Sequence, residues 1–312
     1  MTLHPHFIGC DIAKDHLDLF EEASGESCRI ANTDAAIAAM LLAWDPDAVF
    51  VAFEAAGPYD RRLRRALEQA GFRFARINPE RARNFARAAG LLAKTDAIDA
   101  RMLTVMARVM ALRPDAPSDP ARIALTALNR RRDQLVDIRA AEKVRLGEAG
   151  GPEADLAGQI GRHIAWLDDE IARPDRAITA AIAADAELAA AAALLLSAPG
   201  VGQVTAATLL ASMPELGRCS PKAIAALAGL APFNCDSGRF RGKRAIRGGR
   251  RRVRRALYMA ALAAIRTSDK FKTFYKAVKA RSAAAKVAII AVARKLITVL
   301  NAMLKTKTAF QK

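Results

Sequence analysis

The sequence predicts an α/β domain over residues 1–115, a helical coiled-coil middle over 116–193 and a mainly α C-terminal domain over 194–312. Three observations predict it. Short apolar runs alternate with helix-length segments in the first third. Apolar residues in the middle recur at alternating three- and four-residue steps. The whole excess behind the net charge of +17 sits in the last third, where helical segments are broken by Gly and Pro. At 312 residues the chain is long enough for more than one core.

In the first third, residues 7–12, 17–20 and 28–30 read as strands, and 33–43 as a short helix. Residues 48–53 (AVFVAF) are a continuous apolar run of the kind that fills the centre of a sheet. Gly57-Pro58 is expected to open a helix to about Ala70, which Gly71 ends. Residues 72–77 read as a further strand. Asn78-Pro79 caps the next helix, and Thr95 is a plausible cap for a last one over 96–112. Three strands, helix, strand, helix, strand, helices is an order that suits an RNase H-like domain.

In the middle, a helix over 120–148 is followed by the Gly150-Gly151-Pro152 break. Leu156, Ile160, Ile164, Leu167, Ile171, Ile178 and Ile182 then keep coiled-coil spacing. The reading is a long antiparallel hairpin, serving as a spacer, a dimerisation arm or a packing element within the chain. Beyond it, Pro199-Gly200-Val201-Gly202 separates two apolar helices. Either backbone N–H groups there, at Gly200 and Gly202, grip a phosphate, or the segment is a tight interhelical turn. Ser220-Pro221 opens another helix, residues 233–249 form a loop, and helices run to the C-terminus.

Charge separates these regions. Residues 1–115 carry a net −1 and 116–193 a net −3, whereas 194–312 hold 24 Lys/Arg against 3 Asp/Glu. Such asymmetry implies a polyanionic partner, because cations that neutralise phosphates gain from counterion release. The cations cluster in a Gly-rich segment, not on one amphipathic face, which favours nucleic acid over a membrane surface. No stretch reads as a signal peptide or membrane span; the most apolar one, 287–304, contains Arg294 and Lys295. A cytoplasmic, nucleoid-associated protein is expected. The four cysteines and four histidines form no zinc pattern and read as structural.

Four carboxylates stand out by position. Asp11 ends the first strand, Glu54 ends the central one, and Asp96 and Asp99, three residues apart, begin a helix and face one way. If the first and central strands are neighbours and the later helix crosses them, the four converge. Oxygen ligands of this kind suit Mg2+ or Mn2+, two of which stabilise the attacking and leaving oxygens of a phosphodiester displacement. Taken singly, each acid also fits a helix cap or a favourable N-terminal charge.

The segment from Ser237 to Ala256 holds ten Lys/Arg and no acid. Arg239, Arg241, Lys243, Arg244, Arg247, Arg250, Arg251, Arg252 and Arg254 are candidate phosphate contacts. Ser237 within it is either a nucleophile for a scissile phosphate, storing the bond energy as phosphoserine, or a turn serine in a DNA-contacting loop.

FIGCDIAKDHLDLF, VAFEAAGPYDRRLRRAL, INPERARNFARAAGLLAKTDAIDARML and the stretch from SAPGVGQVTAATLL to CDSGRFRGKRAIRGGRRRVRRALYMAAL together resemble transposases of the insertion-sequence-110 family, which includes Piv-type DNA invertases. The resemblance implies a RuvC-like domain whose DEDD metal site falls on Asp11, Glu54, Asp96 and Asp99, and a catalytic serine at Ser237. It further implies a 5′-phosphoserine intermediate, donor and target DNA as substrates, and a homo-dimer or homo-tetramer with sites shared between subunits. An element-encoded guide (bridge) RNA is implied as well. Two other readings remain: a Holliday-junction nuclease using metal-activated water, and a non-catalytic nucleic-acid-binding scaffold.

Overall fold

A computed structural model of the chain describes residues 6–91, 96–116, 119–149, 154–234, 242, 244–282 and 284–311, with the side chains of 96–98 and 154–155 outside that set. Two compact units divide it, Met1–Ser118 and Asp119–Lys312.

The first unit is built on strands β1 (His6–Ile12), β2 (His16–Glu21), β3 (Ser27–Ala31), β4 (Val49–Glu54) and β5 (Arg73–Ile77). They form one sheet in the order β3-β2-β1-β4-β5. β1 is antiparallel to β2 and parallel to β4, and β4 is parallel to β5. The first and central strands are therefore neighbours, as an RNase H-like arrangement requires. Strand alternation sends successive side chains to opposite faces. Ile8, Cys10, Ile12, Val49, Val51 and Phe53 pack on one face with Leu63 and Leu67 of helix α2 (Arg61–Gln69) and Ile37 of α1 (Asp34–Leu42). Phe7, Phe50 and Ala52 pack on the other, against Ala82 of α3 (Pro79–Ala88) and Met102, Leu103 and Met106 of α4 (Asp96–Val109).

Local signals set most helix starts. Thr33 accepts from Ala36 N–H, and Asn78 accepts from Glu80 N–H at 2.8 Å with Pro79 in the first turn. The helix expected to open at Gly57-Pro58 instead begins at Arg61. Gly57 has φ +67, outside the helical region, and Asp60 is occupied elsewhere. Its Oδ2 accepts from Ala56 N–H at 3.0 Å and from Arg76 Nε at 2.7 Å, which holds residues 55–60 as a turn.

The second unit is helical: α5 (Pro120–Glu148), α6 (Ala154–Ala183), α7 (Ala186–Leu196), α8 (Gln203–Ser212), α9 (Pro221–Leu227), α10 (Arg251–Thr267), α11 (Asp269–Ser282) and α12 (Ala285–Thr306). A short antiparallel pair, β6 (Pro232–Phe233) and β7 (Ala245–Ile246), lies where a plain loop was expected. α5 and α6 form an antiparallel hairpin, tied by Arg132–Asp175 and Arg139–Asp168 ion pairs. Of the expected seam, Leu167, Ile171 and Ile178 are buried, Ile160, Ile164 and Ile182 half-buried, and Leu156 exposed. The hairpin therefore lacks the continuous buried stripe of a coiled coil. Its base joins the main core, where Leu125 and Ile178 pack with α7, α8, α10 and α12. α7 runs across residue 193, so the boundary expected there falls inside a helix.

α12 is long and apolar enough to cross a membrane by composition alone. Its apolar side is spent on the core, with Val292, Leu296, Ile297 and Leu300 fully buried.

Candidate active site and nucleic-acid interface

The sheet register fixes two of the four acids. β1 and β4 run in parallel register up to Cys10 opposite Phe53, so Asp11 and Glu54 follow as the next level of the pair. Both alternate with residues of the face that α4 covers: Phe7 and Gly9 precede Asp11, and Phe50 and Ala52 precede Glu54. Asp11 and Glu54 therefore leave the sheet at the same end of the same face.

α4 supplies the rest. It crosses β1 at Gly9, where a Cβ would lie within 3.0 Å of Ala100 O, Ala100 C and Thr104 Oγ1. From there it runs antiparallel to β1. Thr104 Oγ1 donates to Phe20 O at 3.4 Å, opposite Gly9, and Arg108 pairs with Glu22 at 3.0 Å, nearer the start of β1. The first turn of α4 accordingly points back toward Asp11. Asp11 lies two strand residues, about 6.6 Å, beyond Gly9. Asp96 and Asp99 lie about 6 and 1.5 Å back along the helix from Ala100. The beginning of α4 and the ends of β1 and β4 thus meet at one edge.

Asp11, Glu54 and Asp99 are each half-buried. Among the described side chains no three His, Cys, Asp or Glu are gathered into a metal-holding group; the side chain of Asp96 lies outside that set. The donor chemistry of the edge fits a hard divalent cation, because every candidate ligand is a carboxylate. Two neighbours are unsuited to join it. Burial, then the charges of Asp11 and Asp18, push the Cys10 thiol well above its ordinary range, so it stays protonated. Asp18, opposite Asp11 in the register and buried, is engaged by Arg29, whose Nε and Nη2 donate to its two oxygens at 2.8 and 3.0 Å.

In the second unit, Ser237, Arg239, Arg241 and Lys243 fall outside the described residues. The chain on either side of them is held together by the β6–β7 pairing, Phe233 opposite Ala245. Arg244, Arg247 and Arg251 are exposed. Four other arginines of the basic run are engaged within the protein, Arg255 with Asp137 at 3.4 Å among them. Arg250 donates to both Glu215 oxygens at 2.7 and 2.6 Å, Arg252 pairs with Asp133 at 2.8 Å, and Arg254 Nη1 donates to Gly229 O and Gly248 O at 3.2 and 3.0 Å. Their long-range partners leave no local trace in the sequence.

The Pro199–Gly202 turn divides in the same way. Gly200, with φ +78, is pressed against α10, where a Cβ would sit within 3.0 Å of Ala260 O and Ala264 N. Gly202 caps α8 with open space beside it. Gly200 is thus a packing residue, and only Gly202 faces room for a ligand. Sequence reading also passed over Gly9, whose missing side chain admits α4; its only signal was a glycine inside a strand.

Residues 8–149 match a DEDD-type family profile of IS110 transposases, and residues 192–276 match that of the transposase IS116/IS110/IS902 family. The pilin gene-inverting proteins of Moraxella bovis and Moraxella lacunata are each 27% identical over 98% of both chains. An IS110 insertion-element protein of Streptomyces coelicolor, described as uncharacterized, is 37% identical over 139 residues, which cover 44% of this chain and 34% of that protein.

Proposed function

The chain belongs to the IS110 family of transposases, and on that footing we propose that it cuts and rejoins DNA by serine-mediated strand transfer at a carboxylate-held metal site. What supports this reading is that Asp11 and Glu54 follow neighbouring parallel strands on the sheet face that α4 crosses at Gly9. Asp11, Glu54, Asp96 and Asp99 would hold Mg2+ or Mn2+. The ion supplies charge compensation at the scissile phosphate and at the oxygens that gain and lose it.

The chain's own part is nucleophile and grip. Ser237 Oγ attacks phosphorus, forming an O–P bond while the bond to the 3′ oxygen breaks. The serine proton passes to solvent and the 3′ oxygen takes one up, leaving a 3′-hydroxyl and a 5′-phosphoserine. A 3′-hydroxyl of another strand reverses the step, so rejoining needs no ATP. Arg244 and Arg247, exposed beside β7, hold phosphates near the serine. A guide RNA pairing with donor and target DNA, a homo-dimer or homo-tetramer with shared sites, and residence at the nucleoid complete the reading. Full-length relatives named for inverting a pilin gene support recombination over simple nicking.

The test is Ser237→Ala with labelled donor DNA and Mg2+, scored for a denaturant-resistant protein–DNA adduct. The adduct is expected to vanish. An adduct that persists refutes the serine, and continued nicking without any adduct favours a metal-activated water.

A further inference from the structure

Three loops meet at one end of the sheet of the first unit, just beyond the ends of β1, β3 and β4 and beside the start of α2. They enclose a pocket of about 480 Å³ lined by Lys14, Asp15, Asn32, Tyr59, Arg61 and Arg62, together with Pro58. It lies in a region whose net charge is −1, yet three of its seven lining residues are cationic. Lys14 and Arg61 are exposed and open to a ligand. Arg62 Nη1 is bound at 2.6 Å to Asn32 O and shapes the wall.

Two further features point to what the pocket takes. Tyr59 is 44% exposed, an aromatic ring at the pocket with no ring partner among the described residues. Asn32 is 3% exposed. Its Nδ2 donates to Ala13 O at 2.9 Å and Tyr59 O at 3.1 Å, which leaves Oδ1 buried without a partner among the described residues. A buried acceptor of this kind calls for a donor from outside. Cations for a phosphate, a ring for stacking and an acceptor for an N–H donor together match one nucleotide with an unpaired base.

We infer that this pocket binds an unpaired nucleotide of the DNA strand being cut, with Lys14 and Arg61 on its phosphate, Tyr59 stacked on its base and Asn32 Oδ1 accepting from a base N–H. The inference rests on the carboxylate edge being the place of cleavage, since the pocket opens from the loops that follow Asp11 and Glu54. It adds a grip that the basic C-terminal region does not provide, and it favours DNA opened next to the scissile phosphate.

The test uses the full-length protein in EDTA, so that no chemistry occurs, with a short fluorescent single-stranded DNA carrying 5-iodouracil. Irradiation is expected to cross-link the peptide that contains Tyr59, and Tyr59→Ala to remove that product. Loss of base stacking is expected to weaken pocket-dependent binding about 5- to 150-fold, with Tyr59→Phe close to the parent. The Lys14→Ala/Arg61→Ala protein is expected to show a log K against log salt slope smaller by about 0.7, from one phosphate no longer neutralised. Both side chains are exposed, so the fold is not at stake. Cross-links confined to residues 119–312, or an unchanged slope, overturn the proposal. Labelling at Tyr59 only by the RNA version of the oligonucleotide overturns the assignment to the cut strand. Asp11→Asn is expected to cross-link like the parent, so a failure of the metal-site reading leaves this result distinguishable.

Discussion

Replacing Gly9 by alanine tests whether α4 must sit directly on β1 for the acids to converge. The added Cβ would approach Ala100 O, Ala100 C and Thr104 Oγ1 to within 3.0 Å, closer than real Cβ atoms come to anything. Two of those atoms are helix backbone, so a rotamer change cannot relieve the clash; α4 must lift. A lift of about 1 Å pulls Asp96 and Asp99 from the edge that β1 and β4 fix, and a misplacement of that size costs about 10²-fold in rate. Overpacking of this kind also costs about 1–3 kcal/mol. For a unit of this size that corresponds to a melting temperature lower by roughly 4 to 12 °C. Strand cleavage with Mg2+ and thermal unfolding of the same preparation measure both effects. DNA binding in EDTA is expected to stay within twofold, because no proposed phosphate contact moves. A Gly9→Ala protein with parental melting and parental cleavage would refute the close crossing and the convergence built on it.

Asp11→Asn and Glu54→Gln are each expected to reduce metal-dependent cleavage by at least about 10³-fold, the several kcal/mol that metal-assisted charge stabilisation supplies, with gel-shift affinity unchanged. Gly200→Ala is expected to destabilise the second unit by about 1–3 kcal/mol in urea unfolding, through its clash with Ala260 and Ala264, whereas Gly202→Ser, at a cap with open space, leaves stability level or raises it by a few tenths of a kcal/mol. Arg244→Ala and Arg247→Ala are each expected to lower the salt slope of DNA binding by about 1 while melting stays put. Arg250→Ala should act oppositely, costing about 1 kcal/mol of stability for a half-exposed pair. Burial raises the Glu215 carboxyl, but hydrogen bonding and attraction from Arg250 outweigh it and hold the group below its ordinary value. Its contribution is therefore full above about pH 4.3 and fades as pH falls through the lowered folded value, so parent and Arg250→Ala melting curves should converge on acidification.

How much of this was legible in the sequence follows the range of the forces involved. The apolar run of β4, the cap at Asn78 and the helical hairpin were readable because alternation and capping act across a few residues. The position of Asp11 and Glu54 toward the ends of their strands was readable because each closes an apolar run. The helix start at Gly57-Pro58 was misread because Asp60 is tied to Arg76, sixteen residues away, and β6–β7 was missed because two-residue strands have no periodicity to show.

The sequence by itself determined the family, the sign and place of the charge, and most of the strands and helices. Tertiary structure alone decided that α4 crosses at Gly9 and turns its first residues toward Asp11. It also decided that Arg250, Arg252 and Arg254 belong to the fold while Arg244 and Arg247 face outward, and that Lys14, Asn32, Tyr59 and Arg61 share one pocket. The reason is physical. Charge and propensity are properties of single residues and short segments, whereas occupancy of a side chain depends on partners that packing brings from elsewhere in the chain, 35 positions away for Glu215 and Arg250.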